Sequence, residues 1–92
     1  MPSYVVETFV PAGSREWFAV AVDELRAASE GAAGRRVLLV RSYLVPADEM
    51  GFHVVEAGTP GDVERVVADA GIDPERIVEV VRVEGAPAEG MR

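Results

Sequence analysis

The sequence predicts a single α+β domain in which a strand–helix–strand unit occurs twice. Three observations predict it. Four short β-branched or aromatic runs are bounded by Pro and Gly. Two intervening segments repeat apolar residues at helical spacing. Their order along the chain is strand, helix, strand, strand, helix, strand.

Residues 4–10, Tyr-Val-Val-Glu-Thr-Phe-Val, read as the first strand, stopped by Pro11. Pro11-Ala12-Gly13 is a turn, and Ser14 is a good helix N-cap. From Arg15 to about Ser29, the residues Trp17, Val20, Ala21, Leu25 and Ala28 form one apolar stripe, and Gly31 and Gly34 end the helix. Residues 37–45 read as a long second strand, apolar on both parities. A polar connection over 46–51 leads to a third strand at 52–57, so these two strands form a hairpin. Thr59 caps the second helix, with Pro60 at its first position and Asp62 three residues after the cap. Val63, Val66, Val67 and Ala70 supply its stripe, and Gly71 stops it. Residues 77–83 read as the fourth strand. The domain thus spans residues 1–84, with a flexible tail at 85–92 rich in Gly, Ala, Pro and Glu. Right-handed crossovers in both units give a four-stranded antiparallel sheet with two helices on one face, the ferredoxin-like arrangement.

Composition narrows the function classes. A chain of 92 residues holds one domain, burying roughly 60–65% of the surface its unfolded form exposes. The absence of cysteine excludes disulfides, thiolate metal sites and a cysteine nucleophile. No apolar run reaches the length of a membrane helix, and the N-terminus carries no secretion signal, so a cytoplasmic protein is expected. The net charge is −7, lysine is absent and the arginines are scattered. That pattern lacks the basic stripe needed to bind nucleic acid or an anionic membrane.

Two helices cover one face of a four-stranded sheet, yet the second and fourth strands are apolar on both parities. The simplest cover for the second face is another copy of the chain, packed sheet to sheet as in a dimeric α/β-barrel. On strict alternation the open face takes Leu39, Arg41 and Tyr43 from the second strand, Glu7 from the first and Glu79 from the fourth. His53 and Glu56 lie on opposite parities of the third strand, so one of the two joins that face. The first and third strands are central neighbours in this topology. Glu7 and His53 would then form an acid–base pair, the carboxylate raising the imidazole pKa. Tyr43 would position a carbonyl or stabilise an oxyanion. Arg41, with Ser42 and Glu79, would bind substrate or make salt bridges. Trp17 and Phe18 read as helix packing. No Gly-rich phosphate loop or nucleophile elbow is present.

Four passages together resemble a family of short bacterial ferredoxin-like proteins. They are Tyr4-Val5-Val6-Glu7, Arg41-Ser42-Tyr43, Val55-Glu56-Ala57 and the run from Ala70 to Val80. The characterised member of that family is a nickel-binding protein. The resemblance spans about Tyr4 to Val83. It implies a ferredoxin-like dimer and raises nickel as a cofactor, with His53, Glu7 and Glu56 as candidate ligands. The positions matching the family pattern are Glu7, Ser42, Tyr43 and Glu56. The chain departs from the family at Val66 and Val67, where members often carry a histidine, and at Phe52-His53, where they often carry Tyr-Cys. Nickel favours imidazole and thiolate donors. Three functions therefore stand side by side. The first is a small-molecule-binding dimer without a cofactor, doing acid–base work of the isomerase, cyclase or dehydratase kind. The second is a nickel or other divalent-metal binding protein. The third is a non-catalytic ligand-binding or interaction module.

Overall fold

The computed structural model describes residues 1–32, 34 and 36–85. The expected tail therefore lies, beyond Gly85, outside the described residues. The chain forms β1 (Ser3–Phe9), α1 (Arg15–Glu30), β2 (Val37–Val45), β3 (Met50–Ala57), α2 (Pro60–Asp69) and β4 (Arg76–Val80), with a 3₁₀ turn at Pro46–Asp48. The strands make one antiparallel sheet in the order β2-β3-β1-β4. This is the expected ferredoxin-like arrangement. Among the described residues, no helix is long and apolar enough to cross a membrane.

Residues opposite one another on paired strands share a face, so the register sorts the sheet into rows. One face carries Leu39, Val55, Tyr4 and Glu79 in one row, and Ser42, His53, Val6 and Ile77 in the next. Leu44, Gly51 and Thr8 follow. Tyr4, Val6, Leu39 and Val55 are buried with Leu25 of α1 and Val63, Val66 and Val67 of α2, so this face meets the helices. The outer face carries Arg41, Val54, Val5 and Val78 in one row, and Tyr43, Phe52, Glu7 and Arg76 in the next.

A β-bulge between Leu39 and Arg41 decides which side chains of β2 face the helices. Val40 is the extra residue, so Val37 and Leu39 face the helices before it, and Ser42 and Leu44 after it. Strict alternation placed Leu39 outside with Arg41, whereas Leu39 is buried in the core. The bulge also accounts for much of the apolar character on both parities of β2. The inward set changes parity once along the strand.

Three further expectations are corrected. The buried residues of α1 are Phe18, Leu25 and Ser29, while Trp17 and Val20 are each 57% exposed. The expected stripe therefore holds at Leu25 and Ala28, which pack on the core, and fails at Trp17 and Val20, where Phe18 takes the inward position instead. Ser14 occupies the N-cap position without a side-chain cap bond, although its carbonyl accepts from the Phe18 N–H. The fourth strand ends at Val80, leaving Val81 and Val83 exposed beyond it. The α2 cap forms as expected, Thr59 Oγ1 accepting from the Asp62 N–H at 3.2 Å.

The end of α2 fixes the loop that leads to β4. Gly71 adopts φ +74°, which an L side chain rarely takes. The Ile72 N–H reaches the Val67 carbonyl and the Gly71 N–H reaches that of Ala68, a Schellman pair of bonds. Glu75 N–H then donates to the Glu7 carbonyl at 2.7 Å, tying the loop to β1.

Candidate functional site

His53 is the most informative polar side chain of the helix-facing layer. Alternation along β3 turns Gly51, His53, Val55 and Ala57 inward, and His53 is only 1% exposed. Its Nδ1 lies 2.7 Å from Ser42 Oγ, the residue opposite it across the β2–β3 ladder. Its Nε2 is buried with no hydrogen-bond partner. Phe18 stacks on the ring, with centroids 5.1 Å apart and planes at 18°. Burial pushes the imidazole down to about 4, so at neutral pH His53 is uncharged.

Phe18 reaches this position because β3 has no side chain in its way at Gly51. A Cβ there would lie 2.9 Å from Phe18 Cζ and closer still to Cε1. The glycine is therefore a seat for the aromatic ring.

Beside the imidazole lies a cavity of about 390 Å³. It is bounded by β1 at Thr8 and Phe9, by α1 from Trp17 to Glu24, and by the loop from Ala70 to Glu75. Its walls are mainly aromatic and aliphatic. His53 is a lining group, and the carboxylates Glu24, Asp73 and Glu75 belong to exposed residues at its edge. Thr8, also buried, lines it on the same inward face, and a mainly apolar cavity with a few inward polar groups is the usual form of a small-molecule site.

The other candidates are divided between the two faces. Glu7 pairs with Phe52 in register and lies on the outer face, whereas His53 pairs with Val6 and faces the helices. The expected Glu7–His53 pair is therefore not formed, although β1 and β3 are neighbours, because adjacent residues on a strand point to opposite sides. Glu7 instead holds Arg76, whose Nε and Nη2 both lie 2.8 Å from Oε2. No carboxylate raises the His53 pKa, and its direction is the reverse of the one expected. Arg41 and Tyr43 are on the outer face, their Nη1 and Oη 3.5 Å apart, and Arg41 pairs with neither Glu7 nor Glu79 among the contacts formed. Glu56 shares that outer face, opposite Leu38 and Ser3.

Glu79, expected on the open face, lies on the helix side opposite Tyr4. It stays exposed because β4 is an edge strand. Burial, then the nearby Glu79 and Asp62 carboxylates, push the Tyr4 hydroxyl upward.

The candidate nickel ligands His53, Glu7 and Glu56 do not converge within one chain. The imidazole is inside the helix–sheet layer and both carboxylates are outside it. Among the described residues no group of three or more His or acidic side chains is arranged to hold a metal. The residues that sequence reasoning passed over are Phe18 and Trp17. A bulky aromatic on α1 opposite a glycine on β3 was the available signal, and only the packing pairs them.

No protein-family model and no curated protein matches the chain. Among solved structures it is similar to the crystal structure of SCO4226 from Streptomyces coelicolor A3(2), with a TM-score of 0.75 and 18% sequence identity. The match covers 89% of this chain and 99% of the other. That likeness establishes the ferredoxin-like fold.

Proposed function

We propose that the chain is a small-molecule-binding protein that works as a homodimer. Its ligand occupies the cavity between α1, β1 and the α2–β4 loop, with His53 as the internal polar contact. The observation that carries this reading is the buried, unpartnered Nε2 of His53 beside a cavity of about 390 Å³. An unmet buried bonding group costs about 1–3 kcal/mol, which a ligand supplying the partner recovers. Ser42 fixes the ring orientation through Nδ1, and Phe18 holds its plane.

The chemistry favours recognition. A neutral imidazole offers one donor or one acceptor to the cavity, according to its tautomer. Acid–base work of the isomerase or cyclase kind needs a pKa near the working pH. His53, held down by burial, meets that need only when a bound anionic group stabilises the imidazolium.

The homodimer is supported by the outer face of the sheet. Val5, Phe9, Leu38, Phe52, Val54 and Val78 form an apolar surface there, and Phe9 and Leu38 are about half exposed. Arg41 and Glu56 share the face and carry opposite charges, so a two-fold copy can meet it in a self-complementary way.

The test is a small-fragment screen followed by NMR, reading the His53 ring and the Trp17 indole N–H. Binders should shift both signals. Ala21→Phe, which fills the cavity wall without touching the His53–Ser42 bond, should abolish those shifts in a folded protein. Binders whose shifts survive in Ala21→Phe would put the site elsewhere.

A further inference from the structure

We infer that the cavity selects organic cations, specifically an arylalkylamine whose ring enters towards His53 and whose ammonium group stays at the rim. The inference rests on the small-molecule reading above and names its ligand class. Its starting point is the distribution of charge. Glu24 from α1 and Asp73 and Glu75 from the α2–β4 loop are the charged residues lining the cavity, and no arginine is among the lining residues. The chain has no lysine to reach in, and its net charge is −7. An anionic ligand would meet three carboxylates and no counter-charge.

The aromatic side chains point the same way. Trp17 stands 57% exposed and lines the cavity with Phe18. An indole face beside carboxylates attracts a cation through its quadrupole as well as through charge. The three carboxylates offer charge to an organic cation without forming a metal-ligand set, since no three metal-binding side chains converge among the described residues.

The floor of the cavity supplies the second, independent observation. His53 is 1% exposed, and its Nε2 lacks a partner. In the tautomer whose Nδ1–H donates to Ser42 Oγ, which a ligand N–H would select, Nε2 is an acceptor. A flat ring bearing an N–H matches it, stacked among apolar walls formed by Phe18, Ala21 and Ile72. The loop that carries two of the three carboxylates is held by the Gly71 turn and by the Glu75–Glu7 backbone bond, so the rim is fixed before a ligand arrives.

The experiment compares tryptamine, tryptophol and indole-3-acetate, which share one ring and differ in the charge of the side group. Binding is measured by calorimetry at low salt, with the His53 ring followed by NMR. Tryptamine should bind about tenfold more tightly than tryptophol, indole-3-acetate should bind more weakly than either, and the preference should shrink with added salt. The triple variant Glu24→Gln, Asp73→Asn, Glu75→Gln should bring tryptamine down to the tryptophol affinity with the His53 shift retained. Equal affinities for all three probes, each moving the His53 ring, would overturn the charge selection and leave the pocket reading intact. Binding of none of them, or binding that leaves the His53 ring unmoved, would overturn both.

Discussion

Acidification should weaken this protein through His53 in a way that a single substitution isolates. The folded imidazole titrates at about 4, against 6.5 for an ordinary histidine, because burial penalises its charged form. The unfolded chain therefore takes up a proton that the folded chain refuses. The stability due to the neutral imidazole is fully present above 6.5, and it is lost as the pH falls from there through 4. The whole difference is worth about 3 kcal/mol, of which about 2 kcal/mol falls between about pH 7 and about pH 4.5. The chain also carries 16 acidic residues, so the wild-type curve alone is ambiguous. His53→Gln removes the histidine and leaves that background in place. Urea unfolding at the two pH values should show the wild type losing about 2 kcal/mol more than the variant. The chain has one histidine, so a ring titration by NMR is unambiguous, and its midpoint should lie near 4. Parallel losses in both proteins, with a midpoint near the ordinary value, would refute the burial argument. The imidazole would then be reached by water or by an acid partner.

Two further outcomes follow from the packing. Gly51→Ala places a methyl group against the Phe18 ring and should destabilise the fold by about 1–3 kcal/mol, read as a lower urea midpoint with changed Phe18 and His53 ring signals. An unchanged midpoint would mean that the ring does not sit on that glycine. Val54→Asp puts a charge in the centre of the outer sheet face, opposite Val5. It should convert a dimer to a folded monomer in native mass spectrometry, and a dimer that persists would place the interface elsewhere.

Much of the architecture was legible in local patterns. Pro11, the Thr59-Pro60 cap and the Gly71 stop punctuate the chain where the elements begin and end. The valine stripe of α2 points inward as its spacing requires. Alternation also separated His53 from Glu56, because side chains on a strand change sides at each residue. The candidate site was less legible. His53, Ser42, Glu7, Arg41, Tyr43, Glu56 and Glu79 could all be picked out as residues, but their grouping needed faces and register. Glu7 and His53 sit on neighbouring strands, one residue out of step, and that single step sends them to opposite sides.

The sequence by itself determined the order of elements, the two-layer α+β class, the Thr59 cap of α2 and the acidic, lysine-free character. These depend on residues close together in the chain, through backbone sterics, periodicity and composition. Only the tertiary structure decided the bulge at Val40, which puts Leu39 on the same inner face as Ser42 and His53. It alone brought Phe18 onto Gly51 and set a cavity beside an unpartnered nitrogen. Each of these is a contact between distant segments. Its energy lies in burial and in complementary shape, and neither exists until the sheet and helices have met.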